Sequence, residues 1–197
     1  MNKNEQLEIL KQEILACNKC PLAATRTNAV FGEGNPEGGM LLIGEGPGAE
    51  EDKTGRPFVG KSGQLLDKIL DAAGFNRKEH VFIANIVKCR PPNNRTPEKN
   101  EREACLPYLH KQIEIINPKI IVLLGATALK LIDPKQKLSA VKGQWMIWKG
   151  KVVMTTYHPS ALLRTPSLKK EAWEHFKKVF YKYREVIDPE HKSEHIQ

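Results

Sequence analysis

The sequence lacks a segment that could cross or be led through a membrane. Its longest apolar run, Ile120 to Leu129, has about half of the ~20 residues that a bilayer-spanning helix needs. The N-terminus, MNKNEQLEIL, carries charges where a signal peptide requires an apolar stretch. A cytoplasmic location is expected, nuclear if the host has a nucleus. Only four cysteines are present, and without a secretory signal they argue against a disulfide framework. There is no internal repeat and no low-complexity linker, which excludes solenoids and tethered modules. With 40% apolar and 27% charged residues over 197 positions, the chain is neither disordered nor fibrous, and one domain is expected.

What is present in excess is positive charge. The formal net charge is +8 and the pI about 9.3, so an anionic partner such as nucleic acid is favoured. The lysines at 169, 170, 177, 178 and 182 fit the solvated face of a helix equally well, and charge alone decides nothing.

Four short apolar runs, Met40–Gly44, Val81–Val87, Ile120–Leu124 and Val152–Thr156, are nearly continuous rather than alternating. Such runs suit strands buried on both faces of a parallel sheet. Helical periodicity separates them. Residues 5–16 place Leu7, Leu10, Ile14 and Leu15 on one face, and residues 63–73 place Leu65, Leu66, Ile69 and Leu70 on another, with Gly74 at the C-cap. Thr96 and Pro97 provide an N-cap and first position for a helix running to about Asn117. A last helix spans about 167–187. The expected fold is a three-layer α/β sandwich around a mainly parallel four-stranded sheet, formed by residues 1–188 with a disordered tail at 189–197. Ligands bind beyond the carboxyl ends of such strands. Those ends are Gly44–Gly48, Asn85–Arg90, Gly125–Thr127 and Tyr157–Ser160, which should converge on one cleft.

Residues 55–62, GRPFVGKS, match the Walker A pattern letter for letter. A P-loop must leave a strand directly, however, and the preceding strand ends about ten residues too early. No later strand ends in the aspartate that would hold magnesium. A nucleotide triphosphatase is therefore set aside.

The cysteines follow the spacing C-x2-C for Cys17 and Cys20 and C-x15-C for Cys89 and Cys105. Four thiolates meet if the first helix folds back over the second crossover. Zinc favours two close pairs, and the wide second pair suits a cluster at least as well. Four small core residues are the plain alternative. A redox pair would use Cys17 and Cys20 only.

Gly44-Glu-Gly-Pro-Gly-Ala-Glu-Glu-Asp52, Thr54-Gly-Arg-Pro-Phe-Val-Gly60, Asn85-Ile-Val-Lys-Cys-Arg-Pro-Pro92 and His158-Pro-Ser-Ala-Leu-Leu-Arg164 together resemble family 4 uracil-DNA glycosylases. The resemblance covers about residues 5–180 and absorbs the Walker-like stretch into a uracil pocket. It implies a monofunctional glycosylase that hydrolyses the N-glycosidic bond of flipped-out deoxyuridine and leaves an abasic site for base excision repair. It implies a [4Fe–4S] cluster held by Cys17, Cys20, Cys89 and Cys105. Uracil would be bound by Glu45, Gly46, Glu51, Phe58, Asn85 and His158. The asparagine would read the Watson–Crick edge, the phenylalanine would stack on the ring, and the histidine would donate to O2. Family 1 enzymes carry an aspartate where this chain has Gly46, so the water would be positioned by another carboxylate, with Glu45, Glu51 and Asp52 at hand, or by backbone groups. Lys88, Arg90 and Arg95 are expected on phosphates. Leu162, Leu163 and Arg164 are expected as a wedge in the duplex. The implied partner is uracil-containing DNA, single- or double-stranded, with the enzyme a monomer and associated with the nucleoid through DNA. The loop from Cys89 to Pro97 holds no histidine, so turnover rather than covalent trapping is expected. A nucleic-acid-binding module without catalysis is the alternative from another class, and it has no need of a base pocket.

Overall fold

A computed structural model describes residues 1–197. In chain order the helices are α1 (Lys3–Leu15), α2 (Leu22–Thr25), α3 (Ala49–Thr54), α4 (Lys61–Ala72), α5 (Lys99–Ile116), α6 (Ala126–Leu129), α7 (Leu138–Val141), α8 (Pro159–Arg164) and α9 (Lys169–Val186). The strands are β1 (Glu33–Gly34), β2 (Met40–Gly44), β3 (Val81–Asn85), β4 (Ile120–Leu124), β5 (Trp145–Trp148) and β6 (Lys151–Thr156).

The sheet runs in the order β1-β3-β2-β4-β6-β5. Its four central strands are parallel and are the four apolar runs of the sequence. Two antiparallel edge strands, β1 on β3 and β5 on β6, raise the count from the expected four to six. Alternate residues of each central strand enter different cores. Leu41, Ile43, Phe82 and Ala84 pack with α1 and α5, whereas Met40, Leu42, Val81 and Ile83 pack with α4 and α9. With both faces covered, every position of β2, β3 and β4 is buried. This three-layer arrangement is the α/β architecture expected.

Local boundaries differ in instructive ways. β3 stops at Asn85, but Ile86 and Val87 still donate to the carbonyls of Gly44 and Glu45, so the paired backbone continues as the sequence suggested. The N-cap of α5 is Glu98, two residues beyond Thr96. Its carboxylate accepts an orphan amide of the first turn, and Glu101 reaches back to the Glu98 N–H at 2.7 Å. In α1, Leu15 is exposed while Leu7, Leu10 and Ile14 face the core. The segment after Pro189, expected to be disordered, packs against α4 and α9. His191 stacks on Phe75 with ring centroids 4.6 Å apart, Ile196 is buried, and the Ser193 hydroxyl donates to Ala72 O at 2.7 Å. One apolar side chain, one stacked histidine ring and one hydroxyl hydrogen bond dock an otherwise polar stretch.

Candidate active site

The register Gly44↔Asn85 and Leu124↔Thr156 brings the carboxyl ends of the four parallel strands level. Beyond them lies a cleft of about 960 Å³, lined by residues from all four strand ends and from the 58–62 segment. Asn85 is 2% exposed at the end of β3, and its Oδ1 has no hydrogen-bond partner. A buried acceptor left unpaired is costly and rare in native structures. Gly44 lies opposite because nothing larger fits. A Cβ there would fall 2.5 Å from Phe58 Cζ and 2.6 Å from Asn85 Oδ1.

Phe58 is buried in the cleft wall with φ +49°, a left-handed conformation rare for an aromatic residue. Three contacts hold it there. The Arg77 guanidinium donates to Phe58 O at 2.7 Å and also to Pro57 O, while Gly63 leaves room for the Phe58 carbonyl that a Cβ would strike. Arg77 is itself anchored on Asp67 at 3.0 Å. The Phe58 and His158 rings lie 5.5 Å apart.

His158 follows β6 as the N-cap of α8, and its Nδ1 accepts from Ser160 N at 3.1 Å. That bond leaves the ring proton on Nε2. Burial pushes the imidazole down to about 4, helped by Arg164 and opposed by Glu51. It is a neutral donor at physiological pH. The strand end that carries it is braced from behind: Thr156 Oγ1 meets His175 Nδ1 at 2.8 Å, and the Tyr157 hydroxyl donates to Glu171 at 2.6 Å.

The three expected carboxylates have separate positions. Glu51 lines the cleft, and its Oε1 accepts from the amides of Val59 and Gly60, both at 3.1 Å. Glu45 lines it too, with Oε2 accepting from the Thr127 hydroxyl at 2.5 Å. Asp52 does not reach the cleft. Its Oδ1 accepts from Thr27 N and Asn28 N, which ties the loop after α2 to α3 and removes it from the water-positioning set. Gly46 is packed under Val87, whose Cγ2 would lie 2.7 Å from an added Cβ. An aspartate at this position would require Val87 to move.

Two of the expected DNA contacts are corrected by burial. Lys88 is 1% exposed, and its ammonium donates inward to Asn85 O at 2.9 Å and Gln112 Oε1 at 2.5 Å. Leu162 is 1% exposed beneath α8, whereas its neighbours Leu163 (41% exposed) and Arg164 face solvent. Arg90 is half-buried with Nε on Asn94 Oδ1 at 2.8 Å. Arg95 lines the cleft, but both ends of its guanidinium fork are engaged by Glu101 at 2.6 and 2.8 Å. Sequence reasoning missed Lys130 on the cleft wall and gave no role to Lys61, while Thr127 and Ser160 lie in strand-end segments expected there. For Lys61 the signal was present, since the Walker-like match placed a lysine at the start of a helix.

On the far side of β3, the four cysteines converge. Cys17 and Cys20 from the turn after α1, Cys89 after β3 and Cys105 in α5 line one cavity with Arg26, Lys88 and Tyr108. None is in a disulfide. Arg26 Nη1 donates to Cys89 Sγ at 3.0 Å, and the Lys88 amide donates to Cys105 Sγ at 3.3 Å. Burial raises the Cys89 thiol and pushes Cys105 up to about 11. No group of three His, Cys, Asp or Glu side chains is placed to hold one metal ion.

The strand ends of a mixed α/β sheet enclose a pocket with an aromatic wall, an unpaired asparagine acceptor and a neutral histidine, an α/β enzyme cleft. The model of the Uracil DNA glycosylase superfamily matches residues 31–177. The chain is 52% identical over 168 residues to the type-4 uracil-DNA glycosylase of Thermotoga maritima, covering 84% of this chain and 87% of the relative. It is 47% identical over 184 residues to that of Sulfurisphaera tokodaii, covering 89% and 84%. A type-5 uracil-DNA glycosylase of Thermus thermophilus is 31% identical over 156 residues, covering 64% and 71%. The chain belongs to the type-4 family of uracil-DNA glycosylases.

Proposed function

We propose that this chain excises uracil from DNA by hydrolysing the N-glycosidic bond of a flipped-out deoxyuridine, leaving an abasic site for base excision repair. One atom carries the reading: the buried, unpartnered Oδ1 of Asn85 inside the cleft. Uracil supplies the missing donor through N3–H, and the Asn85 amide donates in return to O4. Cytosine presents the reverse pattern and leaves both groups unpaired. Phe58 stacks on the extruded ring, worth ~1–3 kcal/mol.

When the C1′–N1 bond breaks, the electron pair leaves with uracil. His158 Nε2–H and the amide near Gly46 donate to the negative charge on O2. Water adds to C1′, and its proton is accepted by Glu45 or Glu51, the carboxylates that line the cleft. Leu163 and Arg164, exposed on α8, enter the duplex at the vacated site. Arg90, Lys61 and Lys130 meet the phosphates. The enzyme acts as a monomer on single- or double-stranded DNA in the cytoplasm. The direct assay is an oligonucleotide bearing one uracil. Treatment followed by alkali breaks the strand at that position, and an intact strand overturns the reading.

Cys17, Cys20, Cys89 and Cys105 hold a [4Fe–4S] cluster. Four convergent sulfurs, two of them accepting N–H donors, with the wide spacing of Cys89 and Cys105, suit a thiolate-held cluster. The cluster ties α1 to the loop after β3 and takes no part in hydrolysis. Protein purified without oxygen should be yellow-brown with about four irons per chain and absorption near ~400 nm. A colourless protein with one stoichiometric zinc contradicts the cluster.

A further inference from the structure

Lys88 is one of the largest fully buried side chains in the molecule, and no carboxylate pairs with it. Its ammonium has two acceptors, the backbone carbonyl of Asn85 and the side chain of Gln112. Gln112 is fixed in turn, with its Nε2 donating to Phe31 O at 2.8 Å. The Lys88 peptide is held on both sides, its N–H on Cys105 Sγ at 3.3 Å and its carbonyl accepting from Val30 N at 2.7 Å. The residue therefore spans from the cysteine wall to Asn85, which lines the cleft and carries the unpaired oxygen.

An apolar side chain of the same length would fill this space without the cost of burying a cation. A lysine retained here points to a task that needs the charge and the donor. Asn85 is the last residue of β3, at the end of regular pairing, where only the Ile86 and Val87 amides still bond across to Gly44 O and Glu45 O, and Lys88 adds a side-chain donor to its carbonyl. We propose that Lys88 is a positioning residue for base recognition, clamping the Asn85 peptide so that its amide meets the uracil edge in register. The proposal rests on Asn85 reading the base.

The test is a double-mutant cycle on a uracil-containing single strand, read as the single-turnover rate, with iron content and melting temperature measured alongside. Lys88→Met should lower the rate roughly tenfold in the otherwise native protein, about one hydrogen bond's worth. It should change the rate less than about twofold when Asn85 is already alanine, because residues that act through one another are not additive. Equal losses in both backgrounds, or a loss that simply follows iron content, overturn the proposal. Should Lys88→Met fail to fold, Gln112→Met removes the second anchor of the ammonium instead. Its smaller loss must likewise vanish beside Asn85→Ala, and a loss that persists there overturns the proposal. Asn85→Ala with an undiminished rate removes the base reading and the clamp with it. Asn85→Ala impaired beside Lys88→Met at full rate removes the clamp alone.

Discussion

Replacing His158 by alanine lowers the single-turnover excision rate by ~10²–10³, the usual loss for one donor to a developing oxyanion. Binding to abasic DNA stays within about twofold, because the donor acts on charge that exists only as the bond breaks. The effect depends on a neutral ring whose proton faces the cleft. Ser160 N fixes the tautomer by donating to Nδ1, and burial holds the imidazole down at about 4. The sign has a consequence for pH. A value below the usual ~6.5 of a free histidine means that the unfolded chain takes up the proton first. The contribution of His158 to stability is therefore fully present above about 6.5 and declines as pH falls toward 4. The excision rate should show no inflection from this residue between about 5.5 and 8. A step near 6.5 that disappears in His158→Ala would mean that an imidazolium is the working form. A wedge variant, Leu163→Ala, provides the contrast, since it acts on flipping and recovers most of its rate on single strands. Rescue of His158→Ala on single strands to the same degree would move the histidine from bond cleavage to DNA binding.

Asn85→Asp is the second large effect. The carboxylate still accepts from N3–H but loses the donor to O4 and repels that oxygen. Uracil excision should fall by roughly 10²–10³, the sum of a lost hydrogen bond and an added like-charge contact. The same substitution gives cytosine an acceptor for its N4 amine, so slow release of cytosine should become measurable. The comparison uses two oligonucleotides that differ only in the target base. Uracil excision at the native rate by Asn85→Asp would take this side chain out of base recognition.

The central sheet was legible because β2, β3 and β4 are apolar at nearly every position, the mark of strands covered on both faces, and β6 carries the Val152-Val-Met154 run. The edges were not. β1 has two residues, too few to show a pattern, and β5, although apolar throughout as Trp-Met-Ile-Trp, is short and half-exposed with Ile147 in solvent, unlike the buried central runs. The cleft was legible as a convergence of strand ends, and Phe58, Asn85 and His158, the residues proposed to meet the base, line it. Three readings failed for distinct physical reasons. Lys88 lies in a basic stretch, and lysines are almost never fully buried, so only the three-dimensional partners Asn85 O and Gln112 show that it points inward. Leu162 and Leu163 are adjacent, and a one-residue step on a helix turns the side chain by ~100°, which decides which of them is buried. Asp52 stands one position from Glu51 on α3 and faces Thr27 and Asn28 instead of the cleft. Thr127 on Glu45 and Arg26 on Cys89 join residues 82 and 63 positions apart, and spacing carries no trace of such pairs.

The central claim is that the unpaired Oδ1 of Asn85 selects uracil through its N3–H. It is tested most directly by incubating the protein with two single strands of identical sequence, one bearing deoxyuridine and the other N3-methyldeoxyuridine. Alkaline cleavage then reports excision from each. The account predicts a break at deoxyuridine and none at the methylated base, which lacks the donor and places a methyl group against a buried oxygen. Cleavage of both strands at the same rate, or of neither, would contradict it.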